Sequence, residues 1–164
     1  MKKIYLVGPD HLLPNGKQFY KQAHTECVKH GFELIMPPEE LFNPISSKQE
    51  GFALAKKRIE QLKTADIVIA NTNDYKDSVE PYGESSFLLG YANALNIRTY
   101  CYMDDTRVCG ERYKFEKQLK DDGRWYDENN IVIESQRLNL MLDTDTTIIQ
   151  GNLTDVLKYI EEYR

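Results

Sequence analysis

The chain has 164 residues, 41% of them hydrophobic and 29% charged, with a formal net charge of −5. That balance excludes a disordered or fibrous chain, and no apolar run approaches the ~18–20 residues that span a bilayer. An acidic chain is also a poor match for the many basic phosphate contacts of non-specific nucleic-acid binding.

The opening MKKIYLVGPDHLL places two lysines before apolar residues, but Gly8, Pro9 and Asp10 cut the run short and no small-residue cleavage site follows. Residues 3–7 therefore read as a buried strand ended by Gly-Pro. Phe19, Ala23, Cys27 and Val28 recur at helical spacing across 16–30, with Gly31 as the C-terminal cap. A second strand at 32–36 stops at Pro37-Pro38, and 37–50 reads as loop. Across 51–64, Phe52, Ala55, Ile59 and Leu62 fall on one face and predict a helix packed by it. The run 66–70 is a third strand and 71–83 a polar loop. Residues 84–96 form a helix with Leu88, Tyr91, Ala92 and Leu95 inward, and 98–102 form a fourth strand. Between 103 and 130 the chain is polar, with a helix expected near 107–120. Short apolar runs follow at 131–133 and 138–142, the latter of open type. A last strand at 147–150 and a closing helix carrying Leu153, Val156, Leu157 and Ile160 end the chain.

Strands alternating with helices imply βαβ units. The expected fold is α/β: a flavodoxin-like or Rossmann-like, doubly wound, parallel five-stranded sheet with helices on both faces, in one domain over 1–164. Ligands in such folds sit at the carboxyl ends of the strands, which points to the loops after Val7, Met36, Ala70 and Tyr102. No Gly-x-Gly-x-x-Gly or Walker loop follows the first strand, so no dinucleotide cofactor is expected. Cys27, Cys101 and Cys109 are odd in number and lack zinc spacing. They read as buried or half-buried thiols of a cytoplasmic protein, with no structural metal. His11, His24 and His30 show no ligand or triad spacing, and the latter two read as exposed.

Three segments, taken in order, resemble the nucleoside 2-deoxyribosyltransferase family: Ile4-Tyr5-Leu6-Val7-Gly8-Pro9; then Ile59 to Asn71, Glu80-Pro81 and Phe87-Leu88-Leu89-Gly90-Tyr91-Ala92; then Leu138-Asn139-Leu140-Met141-Leu142. The resemblance implies exchange of the base of a 2-deoxyribonucleoside through a glutamate that attacks C1′, or hydrolysis of the same bond as in relatives that cleave nucleotides. It also implies a homo-oligomer in which the Asn139–Met141 segment reaches a neighbour's site. The partner is then a small nucleoside or nucleotide, with no nucleic acid and no membrane.

Against the family's pattern, roughly Pro-Asp-x-Gly-Thr-Ala-Phe-Glu-hydrophobic-Gly, this chain reads Pro81-Tyr82-Gly83-Glu84-Ser85-Ser86-Phe87-Leu88-Leu89-Gly90. Leu88 stands at the nucleophile's position, Tyr82 at a substrate-binding aspartate's, and Arg58 at that of a third carboxylate. Glu84 lies one turn before Leu88; it is either a substitute catalytic carboxylate or a complement to the helix dipole. Ser85 and Ser86 are candidate phosphate or ribose ligands, or simple caps. Arg58 is a candidate anion anchor, or a helix arginine paired with Glu84. Tyr5, Gly8, Asn71, Tyr82, Asn139 and Met141 complete the expected substrate-binding set.

Overall fold

A computed structural model describes residues 1–163. Its strands are β1 (Lys2–Val7), β2 (Phe32–Leu34), β3 (Ile67–Asn71), β4 (Arg98–Met103), β5 (Lys117–Leu119), β6 (Trp125–Asp127) and β7 (Thr147–Gln150). Its helices are α1 (Gly16–Lys29), α2 (Lys48–Leu62), α3 (Gly83–Ala94), α4 (Cys109–Arg112), α5 (Leu140–Asp145) and α6 (Leu153–Glu162). The main sheet runs β2-β1-β3-β4-β7, every pairing parallel, so the five-stranded doubly wound reading holds.

Alternate residues of the central strands face opposite layers. Ile4, Leu6, Ile67 and Ile69 pack with α1 and α6 through Tyr20, Ala23, Cys27, Val156, Leu157 and Ile160. Tyr5, Val7, Val68 and Ala70 pack with α2, α3 and α5 through Leu62, Leu88, Leu89, Ala92 and Leu142. The strands are covered on both sides, which is why they read as continuous apolar runs. Strand order reverses between β1 and β3, so the crevice at their carboxyl ends is the switch point.

Several expectations need correction. Helix α2 begins at Lys48, capped by the Ser47 side chain, which accepts from the Glu50 amide. Its buried residues are Leu54, Arg58 and Leu62; Phe52 is 73% exposed. The helix has turned its i, i+4 row through Arg58 to the sheet, because that arginine has an internal partner in Glu84. Strand β2 stops at Leu34, and on the outer rim of their helices Val28 and Leu95 are exposed.

The helix expected over 107–120 is only the single turn α4, followed by the hairpin β5–β6. Gly123 takes φ +77 in the connection, a conformation that favours glycine and closes the turn. Lys117 then fixes the hairpin: its Nζ donates to the carbonyls of Gly110, Glu111 and Tyr113 at 2.7, 2.9 and 3.0 Å and lies 5.1 Å from the Trp125 ring centre. The undecided run at 138–142 opens α5, with Asn139 as its N-cap. His30 is not exposed: its side chain keeps 16% exposure, with Nδ1 2.8 Å from Glu161.

Candidate ligand-binding site

Loops from β1 and β3 meet over the switch point. Asn71, the last residue of β3, donates from Nδ2 to both oxygens of Asp10 at 3.1 and 3.2 Å. The Asn71 Oδ1 accepts from the Asn73 amide and side chain at 3.2 and 3.0 Å, and Asn73 Oδ1 accepts from the Asp104 amide at 2.7 Å. This polar chain ties together the ends of β1, β3 and β4. It explains Gly8: a Cβ there would stand 2.5 Å from an Asp10 oxygen and 2.8 Å from the Asn71 Cβ. Burial raises the Asp10 carboxyl above its ordinary pKa, against the pull of Asn71.

On the α2–α3 side of the sheet, Arg58 Nη1 lies 2.5 Å from Glu84 Oε1. The Arg58 side chain is 8% exposed and that of Glu84 31%. Burial opposes the guanidinium charge, but Tyr5 and Glu84 together hold its pKa above the ordinary value. The Tyr5 hydroxyl lies beside Arg58; burial raises its pKa and keeps it a neutral phenol. Arg58 Nε is buried without a hydrogen-bond partner, and the buried Tyr5 hydroxyl has only the Arg58 side chain beside it. His11 closes the same side. Its Nδ1 is 2.9 Å from the Gly8 carbonyl, which fixes the tautomer that donates there, and its ring centre is 5.9 Å from that of Tyr82. Burial lowers the His11 pKa, so the ring is neutral near pH 7. Tyr82 also packs on Tyr75, with ring centres 5.0 Å apart.

Tyr5, Arg58, Tyr82 and Glu84 therefore converge as the sequence suggested, with Gly8 and Asn71 at the neighbouring crevice. Leu88 is 3% exposed in the apolar layer beneath. Ser85 is fully buried, and its hydroxyl reaches the Asn71 carbonyl at 3.5 Å, linking α3 to the end of β3. It does not cap α3, whose N-terminus has no side-chain cap. Ser86, Asn139 and Met141 line a different hollow of ≈ 460 Å³ between α3 and α5. There Asn139 accepts from the Leu142 amide and donates to Glu80 at 3.2 Å, while Met141 is 71% exposed.

Sequence reasoning missed His11 and Asp10. Their signal was position alone: both follow the first strand's Gly8-Pro9 turn, where the switch-point rule puts ligands.

The chain belongs to the nucleoside 2-deoxyribosyltransferase family, whose sequence model matches residues 4–141. Among solved structures it is similar to a 2-deoxyribosyltransferase from Leishmania mexicana, with a TM-score of 0.76 and 25% identity over 100% of this chain and 99% of that one. It also shares its fold with a 2-deoxyribosyltransferase from the psychrotolerant bacterium Bacillus psychrosaccharolyticus, at TM-score 0.50 and 18% identity over 81% of this chain and 98% of that one. No curated protein matches it. Among the described residues, no helix is long and apolar enough to cross a membrane.

Proposed function

We propose that this family member binds a 2′-deoxynucleoside or its nucleotide in the switch-point crevice and does not carry out transfer of the base. Leu88 is the observation that carries the reading: an alkyl side chain in a packed apolar layer supplies no electron pair to an anomeric carbon. The nearby acid does not take over, because Glu84 Oε1 is turned to Arg58 and the pair neutralises the charge a nucleophile would use. Tyr82 offers an aromatic face and a neutral phenol where an aspartate would offer charge, since burial raises its pKa. Such a site recognises a base and sugar and leaves them intact, as a sensor or accessory subunit would.

The protein acts as one domain and as a cytoplasmic homo-oligomer in this reading. Phe87, Leu140 and Met141 stay 62%, 56% and 71% exposed on the α3–α5 side, beside the hollow that holds Ser86 and Asn139. Calorimetry across the common 2′-deoxynucleosides and their monophosphates tests the binding: saturable heat is expected from at least one, and none from any of them overturns it. The competing reading makes Glu84 the acting carboxylate, favoured by its part-exposed side chain. It requires turnover that Glu84→Gln abolishes in a folded protein.

A further inference from the structure

The Arg58–Glu84 pair is a closed contact around unfinished bonding. Arg58 is 6% exposed and Tyr5 1%, yet Arg58 Nε has no hydrogen-bond partner and the Tyr5 hydroxyl has only the Arg58 side chain beside it. Buried donors left unmade cost about 1–3 kcal/mol each and persist where something else completes them. The guanidinium keeps a donor to spare, and the Tyr5 O–H beside it is a second donor on the same fixed positive charge, a set that an oxyanion completes. Glu84 brings one carboxylate oxygen to Nη1 and leaves the rest unserved. It sits in the first turn of α3 directly after Gly83, on a side chain exposed enough to swing outward.

We propose that Arg58 and Tyr5 form the anion subsite of this crevice and that Glu84 is an internal stand-in, displaced when a nucleoside monophosphate places its phosphate there. The inference rests on the proposed ligand class and narrows it from nucleosides to nucleotides. A phosphate presents several acceptor oxygens and accepts from the guanidinium fork and the phenol together, which one carboxylate oxygen does not. Displacement releases the Glu84 carboxylate toward water, where a part-exposed acid is readily solvated.

The test is a calorimetric comparison of each 2′-deoxynucleoside with its 5′-monophosphate and with inorganic phosphate, on the intact protein and on Glu84→Gln, Arg58→Lys and Arg58→Met. The monophosphate is expected to bind about tenfold or more tightly than the nucleoside, as a desolvated charge-assisted contact allows. Glu84→Gln removes the competing anion and should raise that ratio roughly two- to fivefold further, the value of releasing a part-exposed ion pair. Arg58→Met, or Arg58→Lys if the first fails to fold, should lower the ratio. Nucleoside and monophosphate binding alike would overturn this inference and leave the proposed function standing. A ratio that falls in Glu84→Gln would overturn the stand-in role. Inorganic phosphate binding as tightly as the nucleotide would overturn the nucleotide assignment. No binding by any probe overturns both readings.

Discussion

Arg58 on α2 and Glu84 on α3 approach to 2.5 Å, so an internal ion pair joins the two helices one turn before the buried Leu88. The two partners differ in burial, and that sets the cost of removing each. Glu84→Ala strands a guanidinium that is 8% exposed, and should cost about 1–3 kcal/mol, below the 3–5 kcal/mol of a fully buried pair because Glu84 is itself part-exposed. Arg58→Leu with Glu84→Ala should recover most of that loss. Denaturant unfolding of the single and double variants checks it; an additive double variant would contradict the pairing.

Leu88 is an ordinary core side chain in this account. Leu88→Ala should cost about 2–4 kcal/mol, as other buried Leu→Ala changes do, while leaving ligand affinity unaltered in the protein that remains folded. Thermal unfolding and calorimetry on the same sample measure both.

Asp10 and His11 give opposite pH dependences. The Asp10 pKa is raised by burial, so the native state holds its proton more tightly than the unfolded chain. Stability from this group falls as pH rises from the unfolded carboxyl pKa of ~3.9 through the raised native value. Asp10→Asn should flatten that part of the profile. The His11 pKa is lowered by burial, so the unfolded chain binds the proton more readily. Stability therefore rises with pH between the lowered native pKa and ~6.5 and is lost on acidification across that window. An NMR titration of His11 should show a midpoint below ~6.5; a midpoint above it would contradict the buried neutral ring.

All three thiols are buried, and burial pushes Cys27 up to about 12, Cys101 to about 11 and Cys109 to about 12. A thiol-specific reagent at neutral pH should leave the native protein unlabelled and titrate three groups once it is denatured, since thiolate is the reacting form. Rapid labelling of the native protein would show that these layers open.

Trp125 is the only tryptophan, and its indole packs over Gly110. A Cβ at 110 would stand 2.2 Å from an indole ring carbon, so Gly110→Ala should unseat the β5–β6 hairpin. A red-shifted Trp125 emission with the main unfolding transition little changed is the expected result; unchanged emission would contradict the packing.

The sheet was legible in the sequence because buried parallel strands are continuous apolar runs bounded by Gly and Pro, as in Ile4–Val7 and Ile67–Ala70. The α2 face was not, because a charged residue forms part of it: counting apolar positions put Phe52 inward and overlooked Arg58, whose partner lies on another helix. The β5–β6 hairpin was hidden for a similar reason. Lys117 caps carbonyls of α4 across the turn, a contact with no local periodicity. Motif order brought Tyr5, Arg58, Tyr82 and Glu84 into one site. Asp10 and His11 escaped because single polar residues in a loop carry no spacing signal until the strand ends that hold them are placed.

In the proposed function this crevice holds a nucleoside without breaking it. Concentrated purified protein incubated with a 2′-deoxynucleoside and an acceptor base, and followed by chromatography, tests it most directly. Unchanged substrates under conditions where calorimetry shows saturable binding are the predicted result. A released base or a new deoxynucleoside, lost in Glu84→Gln, would contradict it and make Glu84 the acting carboxylate.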